Sequence, residues 1–338
     1  MSIRFAFAGF RHGHIFSVLQ GVRQTEGCEV VAACEEDPAT RKAFADGDAV
    51  EITHDSFETM LAETDCDVVA VGDCYGRRGG ILIRAMEAGK HVLSDKPICT
   101  DLGEMDRIEA LARERGLRVG CQLDLRCAGM FIRLREIIAS GEIGQAQSFT
   151  VLGLHPLALG VRPGWYFEPG KHGGTINDIA IHAVDAIPWL CGQEIAEIVS
   201  ARAWNVKAAE FPHFNDCGQF MLRLSEGAGV IGDVSYLAPD KLAYRLPTYW
   251  RVTCHGTRGM AEACYNRPEV LVVNDDDQAM RYVPAAAEAP LGYLHDFLAE
   301  IAAGEAPGGL STERVLRASR VALLAQRAAD KNETNVKC

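Results

Sequence analysis

The chain has 338 residues, 48% of them hydrophobic and 24% charged, which is long enough for two domains with cores of their own and ordinary for a globular protein. Its formal net charge of −12 argues against nucleic acid or an anionic membrane surface as a partner, since both require a basic footprint. No apolar run approaches membrane-spanning length, no signal-peptide pattern precedes the first strand, and the 12 cysteines form no C-x-x-C pair. The expectation is therefore a cytoplasmic protein with reduced thiols and no metal site.

In chain order, "IRFAFAG" reads as a strand, and "HIFSVLQGVRQTEG" places Ile15, Val18, Leu19 and Val22 on one helical face. "CEVVAACEED" is a second strand with a helix after Pro38, and "CDVVAVGD" is a third. "GGILIRAMEAG" is a helix closed by Gly89, "KHVLSDKP" a further strand, and "GEMDRIEALARERG" a helix leading into "LRVGCQ". Alternating helices with wholly apolar strands imply a parallel sheet covered on both faces.

After about residue 125 the rhythm changes to strands joined by tight turns. "DCGQFMLRLSEGAGVIGDVSYLA" is a hairpin in which Phe220, Leu222 and Leu224 alternate with Gln219, Met221 and Arg223. Two more hairpins turn at "HGTRG" and "NDDDQ", and a final amphipathic helix is capped by Ser311 or Thr312. The fold expected is α/β, with a Rossmann doubly wound parallel sheet in a dinucleotide-binding domain over 1–122. An α+β domain with a large, mostly antiparallel open sheet follows over 123–338, serving substrate binding and oligomerisation, with the last helix free to pack back on the first domain.

The opening turn, "FAGFRHGH", departs from the G-x-G-x-x-G phosphate fingerprint. Gly9 keeps the turn-forming role, but the next two glycine positions hold Arg11 and His14, with Gly13 one place early. A helix N-terminus still offers free amides, and Arg11 or His12 could add charge-assisted contacts to a phosphate. A plain strand-to-helix turn fits the same residues. The acids Glu35, Glu36 and Asp37 end the second strand about 20 residues on, where a carboxylate would accept from ribose hydroxyls and repel the extra phosphate of NADP. NAD is therefore expected over NADP.

"HVLSDKP" sets Lys96 at the end of a buried strand facing the crevice, with Lys96-Pro97 a candidate cis bond. In "GGTINDIAIHAVD", Asp178, His182 and Asp185 fall on one helical face, while Thr175 and Asp178 also fit a capping box.

These motifs, in this order, resemble the glucose–fructose oxidoreductase, inositol dehydrogenase and MocA (Gfo/Idh/MocA) family. Its E-K-P corresponds to "DKP", and its G-G-G-x-L-x-D-x-G-x-H-x-x-D to Gly173, Gly174, Asp178, His182 and Asp185. The G-T-K-G turn of the family corresponds to Gly256, Thr257 and Gly259. The family's A-T-P-N-x-x-H turn appears as "GDCYGRR", so Asp73 and Tyr75 join Gly9, Arg11, His12, Gly13, His14, Glu35 and Lys96 as cofactor-site candidates.

The resemblance implies hydride transfer between a nicotinamide and a hydroxyl-bearing carbon of a sugar, polyol or sugar acid. His182 would be the base and Lys96 would hydrogen-bond the reacting oxygen, although in some relatives the lysine is favoured as proton acceptor; Asp178 would orient Lys96 or His182 and hold a substrate hydroxyl. Asp185 would contact substrate or fix the histidine tautomer, with Arg126, Arg162, Trp165, Tyr166, Lys171 and His172 walling the pocket. The cationic segment that also holds His155 hints at a carboxylate. The same fold hosts sugar-responsive regulators that bind NAD(P) without turnover, against which the presence of both Lys96 and His182 argues, and NAD-dependent glycosidases, which no residue excludes. A homodimer or homotetramer is expected through the open sheet, whose free face would carry Val230, Val234 and Tyr236 or, in the other register, Ile231 and Leu237.

Overall fold

The structure, a computed structural model, describes residues 2–45 and 50–338. Two sheets organise it. The first holds β1 (Ile3–Ala8), β2 (Cys28–Cys34), β3 (Val68–Val71), β4 (His91–Ser94) and β5 (Val119–Cys121), all parallel, in the order β2-β1-β3-β4-β5. A single parallel bridge between Cys34 and His54 extends the β2 edge where the doubly wound order would place another strand. Val68, Val69, Ala70 and Val71 are wholly buried, as a central strand covered on both faces requires.

Helices α1 (Ile15–Gln24), α2 (Pro38–Ala45), α3 (Phe57–Glu63), α4 (Tyr75–Glu87) and α5 (Leu102–Arg115) follow these strands, then α6 (Gly129–Ala139) leads to the second sheet. The expected face of α1, Ile15, Val18, Leu19 and Val22, is buried.

The second sheet is nine-stranded. It contains β6 (Ala146–Pro156), β7 (Ile195–Trp204), β8 (Cys217–Leu224), β9 (Gly229–Ala238), β10 (Arg251–Gly256), β11 (Gly259–Cys264), β12 (Glu269–Asn274), β13 (Arg281–Pro284) and β14 (Thr334–Lys337). Their spatial order is β13-β12-β11-β10-β6-β9-β8-β7-β14. All neighbours are antiparallel except β6 and β9, which run parallel. The three expected hairpins are present as β8-β9, β10-β11 and β12-β13. Phe220, Leu222 and Leu224 face the core while Gln219 and Met221 face outward.

Val230, Val234 and Tyr236 point inward and are buried, whereas Ile231 and Leu237 are exposed, together with Met221.

On this sheet α6 packs against β11 and β12 and α9 (Thr312–Lys331) against β7, with α7 (Ile181–Cys191) packed against both helices, while α8 (Gly292–Ala303) packs against β5 and α1. Ser311 caps α9, accepting from the Arg314 amide. Thr312 receives the β5 amide of Val119 at 3.0 Å, and Arg320 reaches Glu109 on α5, so α9 touches both sheets. All twelve cysteines are free.

Candidate active site

The crevice lies beyond the carboxyl ends of the parallel strands, where β1, β3 and β4 each end in a turn that carries candidate site residues. After β1, Gly9 has φ +78°, and a Cβ there would sit 2.6 Å from that of Asp73, so this turn requires glycine. Arg11 donates through Nε to Asp73 at 2.5 Å, while its buried Nη2 has no partner among the described residues. The amides of Arg11, Gly13 and His14 likewise find no acceptor there, and the space around the Gly13 Cα is open. An orphan guanidinium nitrogen, three free amides and the start of α1 make a donor set suited to a pyrophosphate. The altered loop thus presents a side-chain donor where the fingerprint has its second glycine.

Glu35 does something the sequence did not suggest. Its oxygens accept from the amides of Phe10 (2.6 Å) and Asp37 (2.8 Å), and the side chain is buried, so it holds the opening loop against the end of β2. Any contact with a ribose would use its remaining lone pairs.

Beyond β4, Asp95 and Lys96 sit on a scaffold built by Arg78. That guanidinium, fully buried, donates to the carbonyls of Asp73, Asp95, Lys96 and Pro97 and to the Asp95 carboxylate at 2.9 Å. The Lys96-Pro97 bond is cis. Asp95 also meets Nδ1 of His12 and, at 3.2 Å, Nδ1 of His14. Burial works against its charge, but Arg78 and the histidines hold its carboxyl well below the usual range. His12, His14 and Asp95 offer three donor atoms within 4.8 Å of one another. Both nitrogens of His12 are nevertheless engaged, by Asp95 and by the Tyr75 hydroxyl, which meets Tyr166 at 2.7 Å. The group is a hydrogen-bonded chain and not an open ligand set.

Lys96 Nζ donates to Oδ1 of Asp178 at 2.6 Å and to its carbonyl at 3.1 Å. The other Asp178 oxygen meets Nε2 of His172 at 3.3 Å and the Tyr236 hydroxyl. Although burial alone would raise it, the Asp178 pKa is held well below the ordinary value by Lys96 and His172. Thr175 does not cap this helix: its hydroxyl goes to the Asn215 carbonyl, and residues Ile176–Ala180 form a π-helical turn before α7. Gly174 has φ +94°, and a Cβ there would collide with Gln326 of α9, whose Oε1 accepts the Ile176 and Asn177 amides.

The π turn changes the phase of the helix, a distortion common at functional sites. Asp178 and His182 line a cavity of about 210 Å³ together with Lys96, His155, Arg162 and Tyr166. Asp185, expected beside them, turns away into a buried ion pair with Arg126. The wall expected from 155–172 divides in the same way. Arg162 and Tyr166 face the cavity, whereas Trp165 donates to the Arg11 carbonyl at 3.1 Å and His172 stands behind Asp178. Lys171 stays at the rim, 3.8 Å from Glu168. Tyr236 and Trp250 also line the cavity; the alternation of β9 allowed an inward Tyr236 but gave no sign that it would reach Asp178.

His182 is buried, its Nδ1 has no hydrogen-bond partner among the described residues, and Trp250 stands edge-on at 5.1 Å. Burial and then the nearby Lys96 charge push its pKa well below the ordinary imidazole value, so the ring is neutral at pH 7. Burial likewise lowers His12 to about 4 and His155 to about 3.

Residues 3–123 match the model for the oxidoreductase family with NAD-binding Rossmann fold, and residues 131–262 match the GFO/IDH/MocA C-terminal domain. The chain belongs to the Gfo/Idh/MocA family. It is 30% identical over 187 residues to 1,5-anhydro-D-fructose reductase of Ensifer adhaerens, covering 54% of this chain and 55% of that relative. The chain thus spans about half the length of that relative. It is 24% identical over 326 residues to inositol 2-dehydrogenase of Rhizobium meliloti (strain 1021), covering 91% and 92% of the two chains. The fold also matches scyllo-inositol dehydrogenase from Lactobacillus casei with bound NAD(H) and scyllo-inositol. That match has a TM-score of 0.76 at 21% identity over 100% of this chain and 99% of the other. Among the described residues no helix is long and apolar enough to cross a membrane.

Two predictions follow from this electrostatic arrangement. His12, His172 and His182 all have folded pKa values below the ordinary 6.5. Below pH 6.5 the unfolded chain takes up protons that the native state refuses. Stability is therefore full above that pH and is lost on acidification, by about 1.4 kcal/mol per pH unit per histidine until each folded pKa is reached. Calorimetry at constant ionic strength should show Tm falling between pH 7 and pH 5, with a shallower slope in His182→Asn. A slope unaltered by that substitution would contradict the assignment. Separately, Glu35→Gln turns an amide donor toward a backbone donor. It should cost about 1–3 kcal/mol of stability as well as weakening NAD binding. Loss of affinity with unchanged stability would return Glu35 to a purely ribose-binding role.

Proposed function

We propose that the protein is an NAD-dependent dehydrogenase or reductase acting on a hydroxyl-bearing carbon of a sugar, polyol or sugar acid. In this reading residues 1–122 carry the cofactor, and 123–338 carry the substrate and the subunit contacts. The observation that supports it most is the meeting of a buried Lys96–Asp178 pair and a neutral His182 at one cavity, beside a turn rich in free donors. The residues present suit NAD. Gly9 makes the turn, the amides of Arg11, Gly13 and His14 with the Arg11 side chain would receive the pyrophosphate, and Glu35 braces that loop. NAD when bound supplies the two-electron hydride acceptor.

The chain supplies the proton chemistry and the binding. Neutral His182, with a free Nδ1, takes the hydroxyl proton as the C–H bond breaks. Lys96 is held by Asp178 and donates to the oxygen that gains negative character. His172 and the Tyr236 hydroxyl fix Asp178, and Asp178 fixes Lys96, so the ammonium enters the cavity already oriented. In the reverse direction the same two groups return the proton to a carbonyl oxygen. His182→Ala should lower kcat by roughly 100-fold or more while leaving NAD affinity and Tm near wild type, since its Nδ1 makes no hydrogen bond and only a long 3.9 Å approach to Asp124. Lys96→Met should lower kcat comparably and also lower Tm, because Asp178 is then a buried, unpaired charge. Turnover unaltered in either variant removes that residue from the mechanism.

The outer face of the nine-stranded sheet presents Met221, Ile231 and Leu237, between 38% and 55% exposed, beside polar Gln219 and Asp233. This supports the pairing of two copies through that face, as a dimer or a dimer of dimers. Light scattering coupled to size exclusion at micromolar concentration should give twice or four times the chain mass, and a monomer mass refutes the pairing.

A further inference from the structure

Four cations buried or half-buried around the crevice each have a carboxylate partner. Arg11 meets Asp73, Arg78 meets Asp95, Lys96 meets Asp178 and Arg126 meets Asp185. Arg162 differs. It lines the same cavity as Lys96 and His182, yet no carboxylate among the described residues lies within ion-pair distance of it. Its guanidinium is sandwiched between aromatic rings, 4.8 Å from the Tyr166 centroid and 4.7 Å from that of Tyr236. Nε donates to the Leu157 carbonyl at 3.0 Å and Nη2 to the Pro156 carbonyl at 2.8 Å, leaving Nη1 with no acceptor among the described residues. Two backbone bonds and two rings fix the plane of the fork before any ligand arrives.

We propose that Arg162 is the carboxylate-recognition residue of the substrate pocket, so that the substrate is a hydroxy acid of the sugar-acid class. The inference rests on the functional reading above and narrows it. A neutral polyol would leave a rigid, half-buried guanidinium without a counter-charge, whereas a carboxylate pairs with it directly. The protein carries a net charge of −12, so capture of an anion depends on a local, unneutralised cation.

The geometry also sets where the reacting hydroxyl lies relative to the carboxylate. The Tyr236 ring that supports Arg162 ends in the hydroxyl bonded to Asp178, which in turn holds Lys96. One tyrosyl ring thus separates the anion-binding group from the oxygen-binding group. That span suits a hydroxyl a few carbons from the acid group. A carboxylate is favoured over a phosphate ester because a single free Nη1 edge, already flanked by rings, offers too few donors for three phosphate oxygens.

The test is binding to the protein–NADH complex, measured by calorimetry at constant ionic strength, with NADH formation from NAD as a separate readout. The probes are D-glucuronate and D-galactonate, their neutral counterparts D-glucose and D-galactitol, and D-glucose 6-phosphate. At least one acid should bind about 10- to 100-fold more tightly than its neutral counterpart and than the phosphate ester. Arg162→Met should collapse that ratio toward one, and Arg162→Lys should restore part of it. Equal binding of acids and neutral compounds by the wild type, or binding of none of them, overturns the inference without any variant. So do preference for the phosphate ester and a ratio that survives Arg162→Met. Acid-selective binding without NADH formation would uphold Arg162 and overturn the dehydrogenase reading, and NADH formation from polyols alone would do the reverse.

Discussion

The site depends on one buried ion pair, Arg78 with Asp95. Both side chains are fully buried, and the guanidinium spends its remaining donors on four backbone carbonyls at the ends of β3 and β4. Burying two charges is favourable only when the geometry is good and every other donor is satisfied, and losing one partner of such a pair typically costs about 3–5 kcal/mol. Here those hydrogen bonds also set function. The carbonyls bound by Arg78 belong to Asp73, Asp95, Lys96 and Pro97, so one side chain positions the group that holds Arg11, the group that holds His12, and the lysine itself.

Around that pair the crevice is organised by burial of imidazoles and phenols beside ammonium and guanidinium groups. Burial keeps the histidines neutral, and Lys96 adds to this at His155, His172 and His182. It also raises the tyrosine hydroxyls of Tyr75, Tyr166 and Tyr236, so these remain protonated donors. Asp178 is the exception, kept ionised by Lys96. The crevice therefore sets neutral donors and acceptors among several buried ion pairs, Arg78–Asp95 and Lys96–Asp178 among them.

Much of this was legible in the sequence, for identifiable reasons. The βα alternation, the hairpin turns and the helix caps are local and periodic, so the two sheets could be read from residue spacing. Lys96, Asp178 and His182 stood out because charged groups at strand ends and on one helical face are rarely placed there for packing. The rest depended on tertiary contacts that have no period. Nothing in "GDCYGRR" separates Arg78, fully buried, from Arg77, which pairs with Glu36 near the surface. The π turn over Ile176–Ala180 broke the assumption of an ideal helix, and Asp185, expected in the pocket, pairs with Arg126, a tertiary contact that helix spacing does not reveal. Tyr236 was ambiguous because a strand's alternation assigns faces only once its register is known.

The parallel pairing of β6 with β9 has a consequence for how the pocket's chemistry is distributed. In a sheet of simple hairpins, neighbouring strands end at opposite edges, so only every other strand can deliver its last residues to a given cleft. Here two adjacent strands end together: Leu154 pairs with Ser235 and Pro156 with Leu237, which brings His155 and Tyr236 side by side with ring centroids 6.3 Å apart. The chain leaves β6 directly into the segment bearing Arg162 and Tyr166. The second sheet thereby presents a small carboxyl edge of its own, facing the larger carboxyl edge of the first. That small edge is tied to the first, since Trp165 donates to the Arg11 carbonyl and the Tyr166 hydroxyl meets that of Tyr75, so a change in one edge is felt at the other.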